Sequence, residues 1–235
     1  MKNLILCLAV SCLFFEGCKK EKATIPEIPT EIIRTKADTT LYPSIIQAFP
    51  DGSNNMVKQP VLFSDTVTKE IILTQESEVY VTFISEGAVY KNTLGWYSYT
   101  LGNVPSSTKD FTWEILFPNI SGKNEGGQLT QGDMLQLGTK KFPAGTVIGF
   151  FLIVQGWQDG TINYNNPVYF TNANFNQSKE QHSILFKNKG NIILGFEDLS
   201  YSSADKDFND VLVSISDNKN NYESVAFDLT KVPNL

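Results

Sequence analysis

From about residue 60 onward, apolar and polar positions alternate over short runs and do not recur every third or fourth residue. The runs "VLFSDTV" (61–67), "KEIILTQ" (69–75), "EVYVTFIS" (78–85), "GWYSYTLG" (95–102) and "FTWEILF" (111–117) are rich in Val, Ile, Phe, Tyr and Thr. So are "TVIGFFLIV" (146–154), "VYFTN" (168–172), "SILFK" (183–187), "NIILGFED" (191–198), "VLVSIS" (211–216) and "SVAFDL" (224–229). Gly, Pro, Asn and Ser punctuate the gaps, and no stretch keeps a helical period over three turns. The pattern predicts an all-β single domain, a β-sandwich or jelly-roll-like fold. The continuous apolar run at 147–154 predicts a central strand buried on both faces.

Before residue 60 the pattern changes twice. Met1-Lys2-Asn3 is a short positive segment, and "LILCLAVSCLFF" (4–15) is apolar but shorter than the roughly 20 residues that span a bilayer. Gly17-Cys18 follows, so residues 1–17 read as a bacterial lipoprotein signal and Cys18 as the lipidated residue. Phe15 and Glu16 depart from the usual Leu and small residue, and an ordinary signal peptide cut elsewhere is the alternative. Cys7 and Cys12 fall inside the signal, which leaves Cys18 as the lone cysteine of the mature chain and excludes an intramolecular disulfide. Residues 18–40, charged and broken by Pro26 and Pro29, read as a lipidated, flexible tether. Residues 41–77 are the N-terminal part of the domain and resist assignment to elements, although Asp51-Gly52 is turn-like. The sandwich proper takes residues 78–216, and 217–235 form a C-terminal strand and tail. The expected location is outside the cytoplasm, in the cell envelope, on a membrane through a lipid anchor, facing the periplasm or the surface.

Composition narrows the function. Hydrophobic residues make up 41% of the chain, with 16 Phe, 9 Tyr and 3 Trp, enough for a real core. The formal charge is −6 and no basic run stands out, which argues against a nucleic-acid partner. There is no G-x-S-x-G elbow, H-E-x-x-H helix or P-loop.

The strongest chemical signal is "GFEDLSYSSADKDFNDVLVSI" (195–215), which crowds Glu197, Asp198, Asp205, Asp207 and Asp210 around Asn209. Two carboxylates about 5 Å apart repel by roughly 3 kcal/mol at an effective dielectric near 20, a large part of a domain's stability of about 5–15 kcal/mol. Oxygens on one Ca²⁺ each come within about 2.3–2.6 Å of it, and a straight strand would hold Asp205, Asp207 and Asn209 about 6.6 Å apart. Only a curled loop brings them together, and "SYSSADKD" is loop chemistry before a strand. All-oxygen ligands without cysteine point to Ca²⁺ rather than Zn²⁺. The spacing is not that of an EF-hand, because Asp210 stands where Gly is needed and Ser216 where a bidentate Glu is needed. A solvated acidic loop is the plain alternative.

"FISEGAVYKNTLGWYSY" (83–99), "LFPNIS", "GDMLQLG", "FPAGTVIGFFLIVQGW", "QHSILF" and "GFEDL…DKDFNDVLVSI" together resemble the bacterial family called domain of unknown function 4114, over residues 78–216. The resemblance implies a β-rich extracytoplasmic domain with a Ca²⁺ site at Glu197, Asp198, Asp205, Asp207, Asn209 and Asp210. Glu86, in the matching "SEGAVYKN", is a candidate distant ligand. His182, the sole histidine, is a candidate to donate a hydrogen bond to a carboxylate that holds the metal. Trp157 and Trp96 are candidate stacking faces for a glycan, although aromatics in β proteins are usually core. The expected function is a non-catalytic binding or adhesion module for a glycan or surface protein, stabilised by Ca²⁺. The alternatives are a polysaccharide hydrolase, which needs two carboxylates facing across a cleft, and a structural component of a surface assembly.

Overall fold

The computed structural model describes residues 25–220 and 223–235. The signal segment 1–17 and Cys18 lie outside the described residues. In chain order the strands are β1 (Ile33–Arg34), β2 (Ile71–Ile72), β3 (Tyr80–Glu86), β4 (Thr93–Thr100), β5 (Glu114–Phe117), β6 (Asp133–Gln136) and β7 (Thr146–Ile153). They continue as β8 (Trp157–Gln158), β9 (Thr161–Ile162), β10 (Val168–Phe170), β11 (Ser183–Asn188), β12 (Asn191–Phe196) and β13 (Val211–Ser216). Two short helices, α1 (Leu41–Ala48) and α2 (Asn55–Lys58), precede β2.

The strands build an antiparallel β-sandwich. One sheet runs β1-β6-β3-β13-β12-β11, and the other runs β10-β7-β4-β5 with β2 also paired to β7. Phe83, Leu94, Phe150, Leu194, Val211 and Val213 are among the side chains packed between them. β7 is buried along its whole length, as the run at 147–154 predicts.

The 41–63 segment, unassigned from sequence, covers the outer face of the first sheet. Leu41, Ile45 and Phe49 from α1, with Leu62, pack on Ile184, Phe186, Ile193 and Leu212. Period-two alternation therefore gives β11–β13 two buried faces, which is why these strands read as apolar runs without a polar side. "VLFSDTV" is not a strand: Pro60 starts a 3₁₀ turn over Pro60–Phe63, its fixed φ suiting the first helical position. "SVAFDL" reduces to one isolated bridge, Leu73 with Phe227. Residues 25–40, within the segment read as a tether, run along the domain. Ile33 and Arg34 pair with Met134 and Asp133, and Arg34 reaches Asp133 at 3.9 Å, the one ion pair among the described residues.

Two backbone details position the acidic residues. Register shifts between β3 and β13, so that Phe83 faces Val213 but Ser85 faces Leu212, leaving Ile84 as the extra residue of a bulge. The bulge places Glu86 opposite Val211, whose side chain belongs to the inter-sheet core. Gly195 lies on the outer face of β12 with Ile193, where the 206–208 backbone crosses it. A Cβ there would meet Phe208 O at 2.4 Å. Gly195→Ala is therefore expected to destabilise the protein by about 1–3 kcal/mol, as overpacking does. Denaturant unfolding measures this, and an unchanged midpoint would show that the loop does not rest on β12.

Candidate metal centre

The loop between β12 and β13 carries the acids, and its backbone is curled. Lys206 and Phe208 both adopt left-handed φ (67° and 60°), unusual for residues with a Cβ. Phe208 is buried against Phe63, which anchors the turn to the outer hydrophobic layer. Between these residues Asp207 turns inward, its Oδ2 accepting from Gly52 N at 3.0 Å and its Oδ1 from Asn209 N at 3.1 Å.

The carboxylates gather in two groups. Glu197, Asp198 and Asp210 offer oxygens within 4.8 Å of one another, and Asp51, Asp205 and Asp207 do the same. Oxygens about 2.4 Å from one ion are at most about 4.8 Å apart, so each group has the dimensions of a cation site. These acidic clusters, the first largely buried and the second open on one side, could hold metal ions.

The first group lies where β12 leaves and β13 enters the sheet. Asp198 Oδ2 accepts from Asn92 Nδ2 at 2.7 Å, Asp210 Oδ2 from Asp198 N at 2.7 Å, and Glu197 Oε2 from Lys206 N at 3.1 Å. Glu197 and Asp198 are almost fully buried. Burial, and then the neighbouring carboxylates, raise Asp210 well above the ordinary carboxylate range. Glu197 and Asp198 are raised as well, chiefly by burial.

Glu86 completes the picture. It is 6% exposed, and neither of its carboxylate oxygens has a hydrogen-bond partner. Burial, with Glu125 and Asp198 as the nearest negative charges, pushes it up to about 8. Elsewhere the chain satisfies a buried carboxylate with neutral donors. Glu70 accepts from Tyr97 and Tyr99 hydroxyls at 2.8 Å each and from Asn172 at 3.4 Å. Glu86 has no such donor at hydrogen-bond distance; only the Ala88 and Gly122 amides partly offset its burial, and no cationic side chain among the described residues lowers it. Its oxygens lie outside the group of three, but Asp198 of that group acts on it, and an orphaned buried carboxylate near such a group is what a bound cation would satisfy.

The remaining candidates are placed differently. Asn209 Nδ2 points to Phe49 O at 3.5 Å, and its N donates to Asp207 Oδ1 at 3.1 Å. His182 is adjacent through its backbone, since Glu197 N donates to His182 O at 2.9 Å. Its ring does not donate to a carboxylate: both nitrogens lack partners and the ring stacks on Tyr169 at 3.5 Å. Trp96 and Trp157 are 6% and 7% exposed, so neither offers an open stacking face. Trp96 packs edge-on against Phe142 and borders a groove of about 740 Å³ with Ile115, Leu116 and Tyr164. Asp51, Asn55 and Asn92 were missed from sequence. Asp51-Gly52 signals only a turn, and nothing local places it beside Asp207.

The raised pKa values fix a sign. A carboxyl raised in the folded state favours folding below its unfolded pKa, and that contribution is lost as pH rises through the folded value. For Glu86 the loss runs from about 4.5 to about 8. His182, held neutral by burial, opposes it near its ordinary value of 6.5 and has little effect above about pH 7.5. In chelator, therefore, the unfolding midpoint should fall between about pH 7 and 9. Glu86→Gln should flatten the fall, and a saturating divalent cation should abolish it. A midpoint that rises over this range in chelator would contradict the electrostatics.

No curated protein and no solved structure matches the chain. A family model does match, over β7 to β13. The match takes in His182 and every acid of the 197–210 loop, and it stops short of Glu86, Asp51 and the N-terminal half of the 78–216 span on which the motifs suggested the family. Over residues 142–218 the chain is similar to the family described as "Domain of unknown function (DUF4114)".

Proposed function

We propose that this chain is an exported cell-envelope lipoprotein, anchored through Cys18, whose β-sandwich is stabilised by Ca²⁺ and acts as a non-catalytic binding module. Its ligand would be a glycan or a surface protein. The observation that carries the calcium reading is the group Glu197, Asp198 and Asp210, whose oxygens lie within 4.8 Å of one another, with the unpartnered buried carboxylate of Glu86 raised by Asp198. The donor set is all oxygen, which suits a hard cation with flexible coordination. Glu86, Glu197, Asp198 and Asp210 would hold the ion, and the ion would supply the positive charge that this end of the sandwich lacks.

A ligand surface adjoins the centre. Two cavities of about 330 and 310 Å³ share Pro167, Tyr169 and Ser200. Asp198, Tyr90 and Asn166 line the first, while Glu180 and Gln177 line the second. Tyr90 and Tyr169 are half-buried, so their rings meet solvent where the two tryptophans do not. Polar amides around aromatic faces suit a sugar. A hydrolase is the alternative, but it needs paired carboxylates across an open cleft. The burial of Glu197 against the Lys206 backbone amide and of Asp198 against the Asn92 side-chain amide supports holding an ion instead.

Thermal unfolding in chelator and in rising Ca²⁺ tests the first part. At about 100 times Kd the gain should be about 2.7 kcal/mol, or roughly 5–10 °C for a domain of this size. Asp210→Ala should reduce the shift, and a midpoint indifferent to calcium in the parent chain would sink the reading. Binding is checked by retention of the calcium-loaded chain on insoluble envelope polysaccharide. Tyr169→Ala should release it, whereas liberation of soluble sugar would favour the hydrolase.

A further inference from the structure

The second acidic group holds together residues about 150 positions apart in the chain. Asp51 sits in the connection between α1 and α2, whereas Asp205 and Asp207 sit in the loop before β13, and their oxygens lie within 4.8 Å of one another. Asp51 and Asp205 are exposed and Asp207 is buried, so the group has an open side and a fixed inner wall. Each oxygen of Asp207 accepts one amide, from Gly52 or Asn209, and keeps a lone pair. Among the described residues no basic side chain forms an ion pair with the three: Lys206 Nζ lies over the Tyr201 ring, 5.4 Å from its centroid, and Lys58 Nζ donates to Ser53 Oγ.

Independently of these acids, Asn55 is fully buried and reaches into the same loop. Its backbone N donates to Lys206 O at 2.9 Å and its Nδ2 to Asp207 O at 2.8 Å. The second bond fixes the amide orientation, because a flipped side chain would set oxygen against carbonyl oxygen. Its Oδ1, on the amide bonded to Asp207 O, is left buried with no donor. A buried amide oxygen without a partner, held against a loop of carboxylates, is a neutral ligand for a hard cation.

We propose that Asp51, Asp205, Asp207 and the amide oxygen of Asn55 form a second Ca²⁺ site, separate from the one at Glu86, Glu197, Asp198 and Asp210, which clamps the α1–α2 connection to the acidic loop. The inference rests on the calcium reading for the identity of the ion, but not for the existence of the site. The site joins two residues outside the matched family segment to two residues within it. Ion binding there would therefore couple the helical layer over the first sheet to the loop that also feeds the first site. Asp51, being exposed, can be changed without disturbing the core.

Calorimetric titration of Ca²⁺ into the chelator-stripped chain separates the cases. The parent should bind two equivalents, Asp51→Asn one (or a second at least tenfold more weakly), and Asp210→Asn should lose the other. Ca²⁺ should also slow proteolysis within residues 49–54 in the parent and not in Asp51→Asn. Calcium binding unchanged in number and affinity by Asp51→Asn overturns the second site. One equivalent in the parent, lost with Asp210→Asn, overturns it while leaving the first site standing. No binding in the parent overturns both.

Discussion

Carboxylates crowded into a poorly solvated pocket repel one another, and one end of this sandwich gathers three of them, with Glu86 as a fourth on which Asp198 acts. Glu86, Glu197, Asp198 and Asp210 come from the ends of β3, β12 and β13, the three strands at the centre of the first sheet. The core decides where those strands end and so forces the acids together. Without a cation, the acids can relieve the repulsion only by taking up protons. Their raised pKa values express that conflict.

The surrounding fold shows how the crowding is tolerated. Asn92 at the start of β4, on the opposite sheet, turns an amide donor to Asp198 and accepts Gln155 N through its Oδ1. Backbone amides of Asp198 and Lys206 point at Asp210 and Glu197. These neutral donors reduce the cost without cancelling the charge. Glu86 has none, and its position depends on one inserted residue in β3. Without the bulge at Ile84 the same carboxylate would face the outer layer. Glu70 provides the contrast within one molecule, a buried carboxylate fully served by two tyrosines and an asparagine.

The loop itself stores backbone strain. Two non-glycine residues in left-handed conformation, separated by Asp207, are held by Phe208 in the hydrophobic layer and by Asn55 from α2. Such strain persists only where the surroundings over-determine it, and it concentrates at functional sites. The helical segment 41–63 is therefore more than a cover for apolar strands. It supplies Gly52 N, Asn55 and the Phe49 carbonyl to the loop.

Much of this was legible in the chain. Period-two alternation marked most strands, since the inward and outward requirements of a pleated strand are written residue by residue. The acidic run before "VLVSI" marked its loop, because five acids so close in sequence must be close in space. Alternation could not show that β11–β13 are covered on both faces, because the cover comes from distant, weakly patterned residues. Nor could it show that Trp96 and Trp157 are enclosed, since a side chain's exposure depends on what packs over it. The division of the acids into two groups, and the arrival of Glu86, Asp51 and Asn92 beside them, were decided by a bulge, a turn and a sheet-to-sheet contact. Sequence proximity determined which carboxylates repel; only the tertiary fold decided which of them could share an ion, because oxygen separations of a few ångströms are set by long-range packing.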